Sequence, residues 1–222
     1  MEDLKSFEWL KNLESRGMCG PEMIEVGSQS LINPEFLIIH HSSTKEGNAE
    51  IFRKYHKETY GWRDIGYHFV IGNGTYSGDG EVEIGRPENE EGVHAVNYND
   101  KSLGICLVGD FMKASPTVRQ MASLRKLCKD KMLEYKIPPE KVLGHGEVNN
   151  TNCPGTFFDM EALRKELTPD YWDHWAVESI KKAIDAGIMT GLADGSWGPD
   201  QPLSRAELAI VLERLGLLGG EN

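Results

Sequence analysis

Short apolar runs and helical stripes alternate along this chain. Leu4, Phe7, Leu10 and Leu13 recur at helical spacing, so an amphipathic helix is expected over 3–16, broken after it by Gly17, Gly20 and Pro21. Phe36-Leu37-Ile38-Ile39 is a continuous apolar run ending in His40-His41, the pattern of a buried strand with polar groups at its carboxyl end. Residues 48–60 read as a helix and 66–71 as a second strand. Asn73-Gly74 signals a hairpin turn, and Glu81-Val82-Glu83-Ile84 alternates as a half-buried strand. Another buried strand is expected over 102–108. Ser115-Pro116 supplies an N-cap and a first helical residue for the stripe Val118, Met121, Ala122, Leu124, Leu127, Cys128 and Leu133, which stops before Pro138-Pro139. Val142-Leu143-Gly144-His145 is a short strand, and Asp159 caps a helix over 159–167.

Thr168-Pro169-Asp170 reads as a linker. Beyond it, 175–186 and 205–215 are two helices joined by a Gly- and Asp-rich connection, and Ser204 with Glu207 forms a capping box for the second. Neither an internal repeat nor a low-complexity tract is present. The pattern predicts an α/β domain followed by a helical hairpin of about 50 residues, too small to be very stable alone. Three pieces are expected: 1–35, a helix and lead-in; 36–167, the main domain; and 168–222, the hairpin module. A chain of 222 residues suits one medium domain plus a small one.

Charge supports the same division. The net charge of −11 is spread as −4 over 1–35, −2 over 36–167 and −5 over 168–222. An acidic chain lacks the basic surface that a nucleic-acid partner requires. There is no apolar run of the ~18 residues needed to span a bilayer, so no membrane insertion is expected. Met1-Glu2-Asp3 opens an acidic N-terminus with no apolar segment behind it, so a secretory signal is not expected. The four cysteines are then expected to be thiols or metal ligands rather than a disulfide framework. Cys106 and Cys128 fall in apolar patterns and read as small buried hydrophobes, while Cys19 carries no signal. Cys153 stands apart, in the polar, turn-rich loop Thr151-Asn152-Cys153-Pro154-Gly155.

His145 lies eight positions before Cys153, and His40 ends another predicted strand. Two neutral imidazoles and one thiolate can hold Zn²⁺ and leave the fourth tetrahedral position for a water, whose pKa then approaches ~7. The spacing alone is weak. A closed structural zinc would want a fourth protein ligand, and none has suitable spacing.

Five ordered blocks carry a resemblance. They are Ile38-Ile39-His40-His41-Ser42-Ser43-Thr44, Gly61-Trp62-x-Asp64-Ile65-Gly66-Tyr67-His68-Phe69, His94-Ala95, Ser102-Leu103-Gly104-Ile105-Cys106-Leu107-Val108-Gly109 and His145-x-Glu147-Val148-x4-Cys153-Pro154. Together they resemble the zinc-dependent N-acetylmuramoyl-L-alanine amidases of the phage-lysozyme and peptidoglycan-recognition-protein superfamily. The resemblance covers roughly 36–167. It implies an α/β fold with a mixed central sheet flanked by helices, and cleavage of the bond between the lactyl group of muramic acid and L-alanine. It implies zinc ligands at His40, His145 and Cys153. Tyr67 matches the catalytic tyrosine, which would orient or deprotonate the attacking water or hydrogen-bond the oxyanion. His68 and His94 match positions near the substrate groove. Two residues before the cysteine some members carry Lys; Thr151 stands there instead, able to donate one hydrogen bond but bringing no positive charge. His41 competes with His40, because adjacent strand residues point to opposite faces, and Tyr67 with His68 for the same reason. His56 lies on a charged helical pattern and is expected to be solvated.

Asp173-His174-Trp175-Ala176, Ile180, Gly187-Ile188-Met189-x-Gly191, Asp194-Gly195-Ser196-Trp197-x-Pro199-Asp200 and Leu203-Ser204-Arg205-Ala206-Glu207 resemble a single S-layer homology motif. Such modules anchor proteins to acidic secondary cell-wall polysaccharides, usually as three copies. The matched positions imply glycan contacts from Asp173, Trp175, Gly195 and Arg205, whose fork can bind a carboxylate bidentately. The competing reading makes Trp175 and Trp197 the hairpin's small core, with Arg205 only capping it. With −5 on this segment, non-specific attraction to an anionic wall cannot supply affinity. Oligomerisation through the module would assemble several motifs. The resemblances together imply an endolysin-like enzyme acting on peptidoglycan; with no secretory signal expected, it is expected to be made in a host cytoplasm and released through a holin. The rivals are a non-catalytic peptidoglycan-recognition module, against which Cys153 speaks, and a protein-binding regulator using 1–35.

Overall fold

The computed structural model describes residues 31–192 and 196–218. The helix expected over 3–16, Cys19 and Gly195 lie outside the described residues. The chain divides into two compact units, the first ending at Leu167 and the second beginning at Thr168.

The first unit is built on a mixed five-stranded sheet. Its elements are β1 (Phe36–His41), α1 (Ala49–Tyr60), β2 (Phe69–Ile71), β3 (Val82–Ile84), β4 (Ser102–Leu107), α2 (Val118–Tyr135), β5 (Val142–Gly144), α3 (His145–Val148) and α4 (Met160–Leu167). The strand order is β3-β2-β4-β1-β5. β1 runs parallel to β4 and β5, β2 parallel to β4, and only β3 is antiparallel to its neighbour. Helices flank this sheet, as the resemblance implied.

β1 and β4 are central and covered on both faces, which is why they read as continuous apolar runs rather than alternating ones. Alternation still sorts their side chains. Leu37, Ile39, Leu103, Ile105 and Leu107, with Phe69 and Ile71, pack on Leu124, Leu127, Cys128 and Met132 of α2 and Leu163 and Leu167 of α4. The opposite face places Val70, Cys106 and Val108 against Ala49 and Phe52 of α1 and against Trp62, Ile65 and Tyr67. His40 is paired in register with Cys106 and belongs to this second face. α1 starts at the side chain of Asn48, which accepts from Ile51 N, and ends at Gly61 with φ 71°, the left-handed value glycine adopts without a Cβ penalty.

Several local expectations are corrected. Asn73-Gly74 is not a two-residue hairpin: residues 72–81 join β2 to β3 as a longer loop, in which Asn73 Oδ1 accepts from Thr75 N and Nδ2 donates to Lys45 O. The alternation of β3 is inverted. Val82 and Ile84 are exposed, and Glu83 points inward, where its carboxylate accepts from Ala49 N at the start of α1. α2 begins two residues later than expected, because Thr117 rather than Ser115 forms a capping box with Gln120. Val118 and Leu133 lie on its exposed side, whereas Gln120 and Met132 are buried. His56 is buried rather than solvated: its Nδ1 accepts from Gly66 N at 3.1 Å, and its ring sits among Trp62, Tyr60 and Tyr67.

The second unit carries α5 (Val177–Asp185) and α6 (Arg205–Arg214), the latter opened by the Ser204–Glu207 capping box. Both carboxylate oxygens of Asp170 accept backbone N–H groups, from Trp197 at 2.9 Å and from Gly198 at 2.8 Å. Tyr171 meets the Trp197 ring edge-on, and Lys181 lies over the Trp172 ring. No helix among the described residues is long and apolar enough to cross a membrane.

Candidate metal centre

Three elements bring the candidate ligands together. His40 is the fifth residue of β1, His145 opens α3 directly after the neighbouring strand β5, and Cys153 follows in the loop behind it. One ligand atom from each of the three lies within 4.8 Å of the others, and all three residues are buried. His40 Nδ1 is 3.7 Å from Cys153 Sγ. The imidazoles of His40 and His145 stack obliquely with centroids 4.5 Å apart. Two His nitrogens and a thiol converging inside one small volume form a zinc-type donor set, and among the described residues no fourth His, Cys, Asp or Glu joins the group.

Electrostatics favour the ligating forms. Burial pushes His40 well below the ordinary imidazole value, helped by His145 and His94, and burial brings His145 down to about 4 against the opposing hydrogen bond from Asn149. Both rings are therefore neutral at pH 7, as a metal ligand must be.

The competition between adjacent histidines is decided by strand geometry. His41 points to the other face, where its Nδ1 accepts from Phe111 N at 3.0 Å and its ring packs on Phe111. Its backbone still serves the centre, since His41 N donates to Cys153 Sγ at 3.4 Å. Tyr67 is buried with its ring centroid 5.2 Å from that of His40, on the same face of the sheet. Thr151 lies two residues before the cysteine and accepts from Cys153 N through Oγ1 at 3.2 Å, bracing the loop that presents the thiol.

His68 and His94 are both fully buried. His68 Nδ1 accepts from Gly104 N, and its Nε2 lies 2.9 Å from Glu90 O, so both ring nitrogens are spent on backbone. His94 Nδ1 is 3.1 Å from His40 Nε2, behind the candidate ligand. Residues that sequence reasoning missed complete this layer. Asn149 Oδ1 is 3.1 Å from His145 Nε2, and Ser102 Oγ lies 3.5 Å from His94 Nε2. The one legible signal was the four-residue spacing of His145 and Asn149, which places two side chains on one side of a helical turn.

In the second unit Trp175 is 90% exposed, so it is not a core residue; Asp173 and Arg205 are exposed as well. Trp197 is half-buried and takes the packing role alone.

Comparison with known proteins agrees with this geometry. Residues 30–156 match the N-acetylmuramoyl-L-alanine amidase family, and residues 168–209 match the S-layer homology domain. Peptidoglycan-recognition protein SC2 of Drosophila melanogaster is 37% identical over 130 residues, covering 54% of this chain and 68% of that protein. The endolysin of Enterobacteria phage T3 is 37% identical over 148 residues, covering 63% of this chain and 91% of that one. Among solved structures, N-acetylmuramoyl-L-alanine amidase LysC from Clostridium intestinale URNW shares 32% identity with a TM-score of 0.57, over 63% of this chain and 92% of that chain. With more than half its length matched, a mixed sheet and a buried His–His–Cys group at the carboxyl ends of β1 and β5, this chain belongs to the N-acetylmuramoyl-L-alanine amidase family.

Proposed function

We propose that the protein is a zinc-dependent, endolysin-type hydrolase that cuts the amide bond between N-acetylmuramic acid and the L-alanine of the stem peptide. The observation that carries this reading is the convergence of His40, His145 and Cys153 within 4.8 Å. These three residues would hold the ion, and one thiolate with two neutral imidazoles leaves it a net positive charge and an open position. Bound there, zinc supplies a Lewis acid that polarises the scissile carbonyl and activates water near neutral pH.

The chain's own residues do the rest. Tyr67 stands beside His40, where its hydroxyl can orient the attacking water or donate to the developing oxyanion. Thr151 contributes a hydroxyl and no cation, so Tyr67 carries more of the oxyanion stabilisation than it would beside a lysine. In the second unit Trp175, Asp173 and Arg205 are exposed, and these three, with Gly195 by its matched sequence position, are the proposed contacts for an acidic wall polysaccharide. An aromatic face and a guanidinium fork suit a sugar ring bearing a carboxylate. The proposed site of action is the bacterial cell wall.

Incubating purified Gram-positive sacculi with the protein and labelling new α-amino groups tests the reading. New N-terminal L-alanine should appear, vanish with chelator, return with Zn²⁺ and be absent with Cys153→Ala. New reducing sugar ends would mean a glycosidase. Sacculi that remain bound but uncut would make the protein a recognition module.

A further inference from the structure

Hydrogen bonds behind the candidate ligands converge on one loop. Ser102 Oγ donates to Tyr98 O at 2.6 Å, so toward His94 it presents a lone pair, and His94 Nε2 carries the ring proton. His94 Nδ1 is then bare and accepts from His40 Nε2–H at 3.1 Å. That leaves His40 Nδ1 bare, and this is the nitrogen that faces Cys153 Sγ. The same logic holds at His145. Asn149 Nδ2 donates to Val96 O at 3.2 Å, which turns its Oδ1 toward His145 Nε2 and leaves Nδ1 for a metal.

Both chains end on residues 94–98. Asn99 Oδ1 fixes the loop by accepting from His94 N at 2.8 Å and Ala95 N at 2.9 Å, and Asn97 adopts φ 66° within it. Space for the His94 ring is provided by missing side chains. A Cβ on Gly104 would stand 2.6 Å from the ring, and one on Gly92 2.5 Å from it.

We propose that His94 and Asn149 are positioning residues, tied to the single loop 94–99, that select Nδ1 of both His40 and His145 as the metal-facing nitrogen. Hydrogen bonds from ligand imidazoles to such acceptors fix tautomer and ring orientation, and their loss typically costs 10–100-fold in metal affinity. The inference rests on the zinc reading above and replaces a groove-contact role for His94.

The test measures zinc affinity of the full chain by competition with a chromophoric chelator, alongside the thermal melt of the metal-free protein. Asn149→Leu, which removes the acceptor at similar volume, should weaken zinc binding ~10–100-fold. Asn149→Asp, which keeps an oxygen there, should retain it. His94→Leu should weaken binding likewise, and His94→Asn, whose amide oxygen can occupy the place of Nδ1, should recover most of it. Unchanged affinity in both leucine variants would overturn the proposal, and so would equal losses in the leucine and the conservative variants. If the unaltered chain itself fails to compete for zinc, the zinc reading falls first, so the two failures are distinguishable.

Discussion

At the scale of single residues, the centre depends on which face of β1 a side chain takes. His40 and His41 are chemically identical and adjacent, yet one meets Cys153 and the other meets Phe111, because strand residues alternate across the sheet. Tyr67 and His68 divide in the same way: the tyrosine ring lies beside His40, and the histidine is held between Gly104 N and Glu90 O. Tyr67→Phe should leave zinc content unchanged and slow turnover on soluble muropeptide by ~10²-fold or more, as expected for loss of a donor to the transition state. Metal analysis together with single-turnover rates checks this, and an unchanged rate would make Tyr67 a packing residue. The three candidate ligands were readable through the ordered motifs that carry the family resemblance, since the His145–Cys153 spacing alone is weak. The surroundings of His94 were not readable, because the sequence shows a histidine in a loop but not the ring packed against Gly104 and Gly92.

At the scale of elements, α2 shows how a polar residue can organise a core. Gln120 is buried, donates to Ile71 O and Val108 O, and accepts from Thr117 N, so it ties the helix start to the ends of β2 and β4. Gln120→Leu would strand buried backbone acceptors while keeping side-chain volume. It should cost about 2 kcal/mol or more, read as a lower urea midpoint with unchanged slope. Its place in the core was invisible in the sequence, where apolar periodicity pointed to Val118 and Ala122 instead. The same weakness produced the inverted reading of β3. On a short edge strand the face is set by what lies alongside, here the N-terminus of α1 reaching for Glu83.

At the scale of the whole molecule, buried histidines make stability depend on pH. Burial lowers His56 to about 3 and His68 to about 4, whereas in the unfolded chain they titrate near 6.5. Between those values the unfolded chain binds more protons than the folded one, so folding stability is complete above about pH 6.5 and falls as the pH drops toward 4. The loss should reach a few kcal/mol, seen as a falling Tm for chelator-treated protein between pH 7 and 4.5. A flat Tm would mean these rings are protonated in the fold. The second unit makes a separate prediction. Removing 168–222 should spare cleavage of soluble muropeptides and reduce retention on intact walls, measured by sedimentation with sacculi. Equal retention would remove the targeting role.

The sequence by itself determined the strand and helix order, the candidate ligand triad and the family, because apolar periodicity, capping residues and ordered motifs are local properties of the chain. Tertiary structure decided what the remaining histidines do. Whether a ring is a ligand, a brace behind one or a packed core group depends on which hydrogen-bond partners reach its two nitrogens. For His94 those partners come from β1 and the start of β4; for His56 and His68 they come from a loop and a neighbouring strand. Contacts of that kind are made only when the sheet assembles, so no local pattern encodes them.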